Sequence, residues 1–526
     1  MIQKNKTSIF WTPIFFVLTA VLALSLAACS GGEQLLLAEY NRDFEAEIFL
    51  AELGSESSEW QSLAEDAVST SLFDGRLATF VPETNRIVLW YVDRNDLRVE
   101  QMEIGDDAPT ELYEGNAADR VFGSISNDPF IVFLTETEDF SEFSCYASVD
   151  GAEAARLAKG SICVASENGV VLQERDADEL SLTLYSLDGE DETVILDEVE
   201  DVLEVSWNDD LSWFTYVELD RGDGQAYIIE PGDEEATAVG DEFEIIEDVG
   251  FIADDETIYL IGKPDEDDDE LGLFINAAGD PVLEEEIIRF AGRSEDNRYI
   301  YFTTESTREE LFFVYDVRGE SATEVADGDF ISTLGLYGER LLLAVGDNDD
   351  TALISVNVDG TELVELYSDD EYEPIEVNVD EANGRVYLTL RDEDGLLSLY
   401  VTSLDEENGY FLLEEWAALN LMNASDDTAV FAAQEDEGDD WILYAIPVEE
   451  GADEVELDDD AENGFQGAYL TSNGRSVLYT AIGDDVTEAE VRQAQLDGEE
   501  GAETLFKDVV LLDVSWEGAS NLESVR

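Results

Sequence analysis

The chain repeats itself, and the repeat limits what it can fold into. A strand-like run ending in a tight turn recurs as YASVDGAEAARL around Asp150, YSLDGEDETVIL around Asp188, ISVNVDGTELVEL around Asp359 and AQLDGEEGAETLF around Asp497. Weaker copies are VYDVRGESATEV at Arg318 and YVTSLDEENGYFLL at Asp405. An Asp-Gly pair between alternating apolar residues signals a hairpin, because glycine supplies the positive φ that the turn needs. A second run precedes these: TNRIVLWYV at Asn85, DNRYIYFTT at Asn297, GERLLLAVG at Gly338, NGRVYLTLR at Asn383, DDTAVFAAQ at Asp426 and NGRSVLYTA at Asn473. A third sits just before the second, as EVSWN at Trp207, IEVNVD at Val377 and AYLTSN at Leu470. The order is strand, turn, strand, acidic loop, strand, Asp-Gly turn, strand. Its period of roughly 43 residues is the length and strand count of a four-stranded propeller blade.

Alternation within the runs favours strands, and the nearly continuous apolar stretch from Arg475 to Ile482 suits a strand held between neighbouring blades. One short helical candidate lies near Glu59 to Val68. Counting units gives an all-β chain of about eleven four-stranded repeats, with an incomplete first one at Leu35–Leu53. The last strand, Val509 to Trp516, echoes Val202 to Trp207 and reads as an innermost strand lacking its blade. Its pairing with the first unit would close a ring and leave no edge strand open. Single propellers usually hold about four to eight blades, which favours two in tandem, residues 34–300 and 301–526, with the boundary in 280–330. One oversized ring is the alternative.

The run Ser472-Asn-Gly-Arg-Ser-Val-Leu-Tyr-Thr480 resembles the TolB-like propeller repeats of bacterial envelope proteins. Most copies lack that family's proline, and its aspartate is often Asn or Glu here. The resemblance covers residues 34–526. It implies the fold and says little about function.

Residues 1–28 read as a secretory signal: Lys4 and Lys6, an apolar run from about Ile14 to Leu26, then Leu26-Ala27-Ala28-Cys29. This stretch resembles the lipobox of bacterial lipoproteins, which implies that Cys29 is diacylated (palmitate is one such chain) and becomes the mature amino terminus. Residues 29–33 would be a short tether. Stable anchoring needs two or more acyl chains, which lipoprotein processing supplies. An uncleaved anchor over Ser8 to Ala28 is the alternative. Either way, the body lies outside the cytoplasm, facing the periplasm or the cell surface. If Cys29 carries lipid, Cys145 and Cys163 remain as a pair in neighbouring predicted strands, open to a disulfide or to two free thiols.

The chain carries 129 Asp and Glu against 25 Lys and Arg, a formal net charge of −104, with aromatics interleaved throughout. That is a folded body with an acidic surface, and it excludes nucleic acid, whose binding needs Lys and Arg against phosphate. Such a surface also repels anionic lipid, leaving the acyl group as the membrane contact. Histidine is absent, which removes Ser-His-Asp and Cys-His arrangements and the usual neutral-pH base. Acid clusters at Asp265–Glu270, Asp347–Asp350, Asp392–Gly395 and Asp458–Asp460 are read as solvated loops or turns first and as calcium ligands second, since none has the full loop spacing. The calcium candidates are Asp265, Asp267, Asp268, Asp269, Asp347, Asp349 and Asp350.

No catalytic residue stands out. The expected function is a membrane-anchored module binding an envelope protein or polysaccharide. Alternatives are a carbohydrate-acting hydrolase or lyase using carboxylates or calcium in a propeller channel, and a structural surface-layer component.

Overall fold

The computed structural model describes residues 33–525. It leaves out 42–44, 69–76, 81–85, 117–119, 126–129, 137–142, 150–154, 188–190, 253–256, 266–269, 306–309, 516–522 and single or paired turn residues; side chains of 115–145 and 148–163 are also outside the description. Among the described residues the chain forms eleven antiparallel four-stranded blades; blades 1 and 2 join into one eight-stranded sheet where Gln61–Val68 pairs with Arg86–Asp93, and one blade gains a fifth strand. The β-propeller expected from the repeat is the fold observed. Blade 2 runs from Ala78–Phe80 to Thr110–Asn116, blade 3 from Arg120–Ile125 to Ala155–Gly160, and blade 4 from Ile162–Ser166 to Glu192–Glu200. Blade 5 spans Val202–Trp207 to Thr237–Phe243, blade 6 Ile245–Phe251 to Ala278–Glu285, and blade 7 Ile287–Arg293 to Ser321–Gly328. Blade 8 spans Phe330–Tyr337 to Val364–Tyr367 and blade 9 Tyr372–Asp380 to Glu406–Trp416. Blade 10 spans Ala418–Ala424 to Val455–Ala461, and blade 11 Phe465–Leu470 to Glu503–Lys507.

Blade 1 is built from both ends of the described chain. Val510–Val514 pairs antiparallel with Gln34–Tyr40, which continues into Ala46–Glu52 and Gln61–Val68. The last strand is therefore the innermost strand that the first unit lacks, as its likeness to Val202–Trp207 implied. The helical candidate is corrected: Ser57–Glu59 is one 3-10 turn and Gln61–Val68 is a strand, because pairing with Ala46–Glu52 overrides weak local preference.

Each blade lies against the next. Blades 1 and 2 share a core around Ile48, Ala67 and Leu89, blades 2 and 3 meet through the Tyr113–Tyr146 edge contact, and blades 11 and 1 share Leu478, Phe506, Leu35 and Leu511. The expected boundary between residues 300 and 301 falls inside Tyr299–Glu305, the second strand of blade 7, so a division there would split a hydrogen-bonded sheet. Gaps between blades lie on either side, at 285–287 and 328–330. Apolar clusters bridge both gaps, through Ile261, Ile288 and Phe302 and through Phe312, Ile331 and Leu343. Blades 11 and 1 also meet, which joins the two ends of the described chain.

Candidate binding channel

The first strand of a blade is the one nearest the centre: those of blades 5 and 6, 10 and 11, 11 and 1, and 1 and 2 touch directly. The inner strands of blade 1 and of blades 5 to 11 share a device that composition conceals. Pairing with the second strand slips by one or two residues around Leu203, Glu247, Ala291, Leu334, Ile375, Met422 and Gly467-Ala468, and around Leu512 in blade 1. The slips recur at intervals of about 44 residues, the blade repeat. A bulge leaves a residue unpaired, bends the strand and re-aims its side chain. On an open inner edge it also stops another strand from templating along the whole length. Two bulge residues, Leu203 and Ile375, stand 42% and 44% exposed, as does Phe330 at the start of blade 8 at 46%.

The residue after the bulge often hooks the next blade. Asn423 Nδ2 donates to the Ala468 carbonyl of blade 11 at 2.8 Å. The Tyr469 hydroxyl donates to the Leu512 carbonyl of blade 1 at 3.0 Å. Asp513 accepts from Thr79 Oγ1 at 2.8 Å and from the Phe80 amide at 3.0 Å, reaching blade 2. These buried and half-buried polar groups are satisfied across blade junctions, so they fix the angle between blades.

In blade 6 the same position holds Asp248, which accepts from the Tyr259 hydroxyl at 3.1 Å. The Tyr259 ring stacks on Phe290 of blade 7, 4.9 Å between centroids and 12° from parallel. Burial pushes the Asp248 carboxyl above its ordinary value, and the bonds from Tyr259 and the Val249 backbone only partly offset this. Burial, then the charge of Asp248, pushes the Tyr259 hydroxyl up strongly, with Glu204 on the neighbouring inner strand adding to it. An acid held more protonated in the folded state gives stability that is full below its ordinary value of 3.8 and is lost as pH rises through the raised folded value. Asp248→Asn is therefore expected to raise the melting temperature at neutral pH and to change little in strong acid. A neutral-pH loss in a thermal melt would contradict this.

Two acid-lined clefts open elsewhere on the body. One, of about 480 Å³, lies between blades 9 and 10 among Glu414, Glu415, Trp416, Glu435, Asp436 and Glu454. The other, of about 220 Å³, lies in blade 1 among Glu39, Tyr40, Asn41, Glu45, Glu47 and Glu65.

The residues singled out in the sequence are scattered over the fold. Cys29 lies outside the described residues. Cys145 is on the third strand of blade 3 and Cys163 on the first strand of blade 4, in two different sheets, and their side chains are outside the description. Asp265 is exposed in the loop between the second and third strands of blade 6; Asp267, Asp268 and Asp269 fall in the undescribed part of that loop. Asp347 and Asp350 are backbone register partners at the end of a hairpin in blade 8, and Asp349 lies outside the description. Among the described residues, no three acidic or cysteine side chains gather as a metal site would require.

The cluster at Asp458–Asp460 is not a loop or a turn. It lies in the outermost strand of blade 10, and Asp458 faces blade 11 with its side chain only 4% exposed. There Arg492 donates to both Asp458 oxygens, at 2.9 and 3.1 Å, and the Tyr479 hydroxyl donates to one of them at 2.8 Å. Arg492 also reaches Glu490, which Lys507 and Thr504 hold from the other side. The only sequence signal was the rarity of cations: an arginine on a strand of such an acidic chain has many possible partners.

No family model matches the chain, and no curated protein sequence matches it. Solved structures do. A eukaryotic initiation factor is similar over 91% of this chain and 99% of its own, at 8% identity and a TM-score of 0.40. A TolB from Agrobacterium tumefaciens covers 45% of this chain and 90% of its own, at 15% identity and a TM-score of 0.25. The β-propeller domain of the Trilobed protease from Pyrococcus furiosus, described as having an open velcro topology, covers 66% and 95%, at 11% identity and a TM-score of 0.24. The propeller assignment rests on the strand order and ring closure described above. Among the described residues no helix is long and apolar enough to cross a membrane.

Proposed function

We propose that this chain is a lipid-anchored, extracytoplasmic propeller that binds a protein or polysaccharide partner of the cell envelope. One observation supports this reading above the others: several buried or half-buried carboxylates are already engaged in holding the fold together. Asp458 is taken by Arg492 and Tyr479, Asp513 by blade 2, and Asp380 by the amide and side chain of Asn383. The acids lining the two clefts face solvent. They suit recognition of cationic or hydroxyl-rich surfaces more than chemistry at a desolvated centre. A diacyl anchor on Cys29 explains how a body with a net charge of −104 stays at a membrane.

Cys29→Ser is expected to move the protein from the membrane fraction to the soluble extracytoplasmic fraction. The wild-type protein, crosslinked in its own envelope, should retain a defined partner. Membrane retention of the variant would refute the anchor, and the lack of any captured partner or polysaccharide would refute the binding role.

A second reading, a carbohydrate-acting hydrolase or lyase, is favoured by one feature. Asp248 is a carboxyl with a raised proton affinity at the inner strands, as a general acid requires. Turnover on a polysaccharide panel that Asp248→Asn abolishes would establish it.

A further inference from the structure

Blade 9 is the one sheet among the described residues whose innermost strand has a further partner. Glu523–Val525 pairs antiparallel with Tyr372–Asp380, in the register Val377 with Val525, Asn378 with Ser524 and Val379 with Glu523. In blades 5, 6, 7, 8, 10 and 11 the corresponding strand ends its sheet.

The middle rung carries a second feature. Asn378 is 4% exposed, and its Nδ2 meets no acceptor among the described residues. A buried amide donor left without a partner is costly, and it marks a place where a ligand group can gain by bonding. The occupant is short. Three rungs offer few hydrogen bonds against the entropy of ordering the segment. The inner strand itself is nine residues long, so most of its length is uncovered by Glu523–Val525. Beyond Val377 it presents Glu376 and the exposed bulge residue Ile375, before Pro374, which offers no N–H, and Glu373, which Arg391 holds.

The geometry points to this edge as a docking site for an extended peptide of a partner protein, occupied in cis by Glu523–Val525. A partner strand adds main-chain hydrogen bonds along the edge, as in β-strand addition. Past the cis segment it carries an apolar residue against Ile375 and Lys or Arg beside Glu376, since Arg391 already holds Glu373. The partner displaces the cis strand because it adds side-chain contacts at Glu376 and Ile375, while the bulge and Pro374 end strand pairing beyond them. This rests on the binding reading above and names the chemistry of the partner.

The test compares the full chain with one ending at Ser515, which keeps the ring-closing strand Val510–Val514. Amide hydrogen exchange at 377–379 is expected to speed up at least tenfold in the shortened chain, with little change in blades 5–8. A labelled synthetic peptide of residues 518–526 should restore the protection and bind the shortened chain at least tenfold more tightly than the full chain. A variant of that peptide extended at its C-terminal end by Leu-Lys should bind more tightly still. Unchanged exchange at 377–379 on shortening, or no binding of either peptide, would overturn the proposal. So would concentration-dependent dimerisation of the full chain that shortening abolishes, since the occupant would then be a second copy. Capture of an envelope partner that neither shortening nor excess peptide affects would sink this proposal and leave the binding reading intact. Peptide binding with no envelope partner captured would uphold the edge and sink that reading.

Discussion

A chain ended at Asp508 is expected to melt on the order of 10 °C lower than the full chain and to become sensitive to protease within residues 34–68. The shortened chain lacks Val509, Val510, Leu511 and Val514, each at most 7% exposed, together with half-buried Leu512. Burying a Val or Leu side chain is worth about 1.5–3 kcal/mol, so the strand contributes several kcal/mol from apolar burial alone. Its loss also uncovers Leu35 and Leu37, both fully buried in the core shared by blades 11 and 1. The Asp513 link to blade 2 and the Leu511 amide bond to Thr480 Oγ1 disappear with it. Stacked repeats depend on their neighbours, so damage should begin in blade 1 and spread to blades 2 and 11. Thermal melts followed by mass-spectrometric mapping of early cleavage sites would show this. An unchanged melting temperature, or first cuts in blades 5–8, would mean that the closure carries no load.

That closure was legible in the sequence because an innermost strand keeps its pattern wherever it lies. Val-Leu-Glu-Val-Ser-Trp in blade 5 and Leu-Leu-Asp-Val-Ser-Trp at 511–516 share the same alternation and the same terminal aromatic. The Asp-Gly turns were legible for a similar reason: Gly360 and Gly498 adopt φ of +78° and +63° between third and fourth strands, where other residues are strained. The bulges were not legible. One extra residue per inner strand only blurs a period-two pattern, and the side chains there range from Leu203 to Glu247 to Gly467, so nothing in residue type marks the position. The hooks at Asn423, Tyr469 and Asp513 were missed because each acts on a backbone group of the next blade, a contact that no local spacing encodes. Misplacement of the Asp458 cluster has another cause. In a chain this acidic, three consecutive aspartates look like a solvated loop, and the arginine that buries one of them lies 34 residues away.

Arg492→Ala is expected to destabilise the protein by about 3–5 kcal/mol, the usual cost of removing one partner from a buried ion pair. The Arg492 side chain is 12% exposed and that of Asp458 4%, and the remaining partners of Asp458, the Tyr479 hydroxyl and the Asp460 amide, cannot balance its charge. Asp458→Asn combined with Arg492→Ala should recover a substantial part of the loss, because the orphaned group is then a neutral amide. Salt separates this defect from the general repulsion of an acidic surface. Exposed charges are screened at about 1 M salt, whereas a desolvated carboxylate is not, so the single variant should remain destabilised there. The acid limb should change as well. Burial works against the charge of Glu490, yet the hydrogen bonds from Lys507, Arg492 and Thr504 outweigh it and hold the carboxyl below its ordinary value of 4.5. The stability this gives is present above that value and is lost as pH falls through the lowered folded value. Without Arg492 part of that holding force is gone, so stability in the variant should fall less steeply with acid over that range. Denaturant titrations from neutral pH downward would measure both effects. A single variant within about 1 kcal/mol of wild type at neutral pH would show that water, rather than Arg492, satisfies Asp458 between blades 10 and 11.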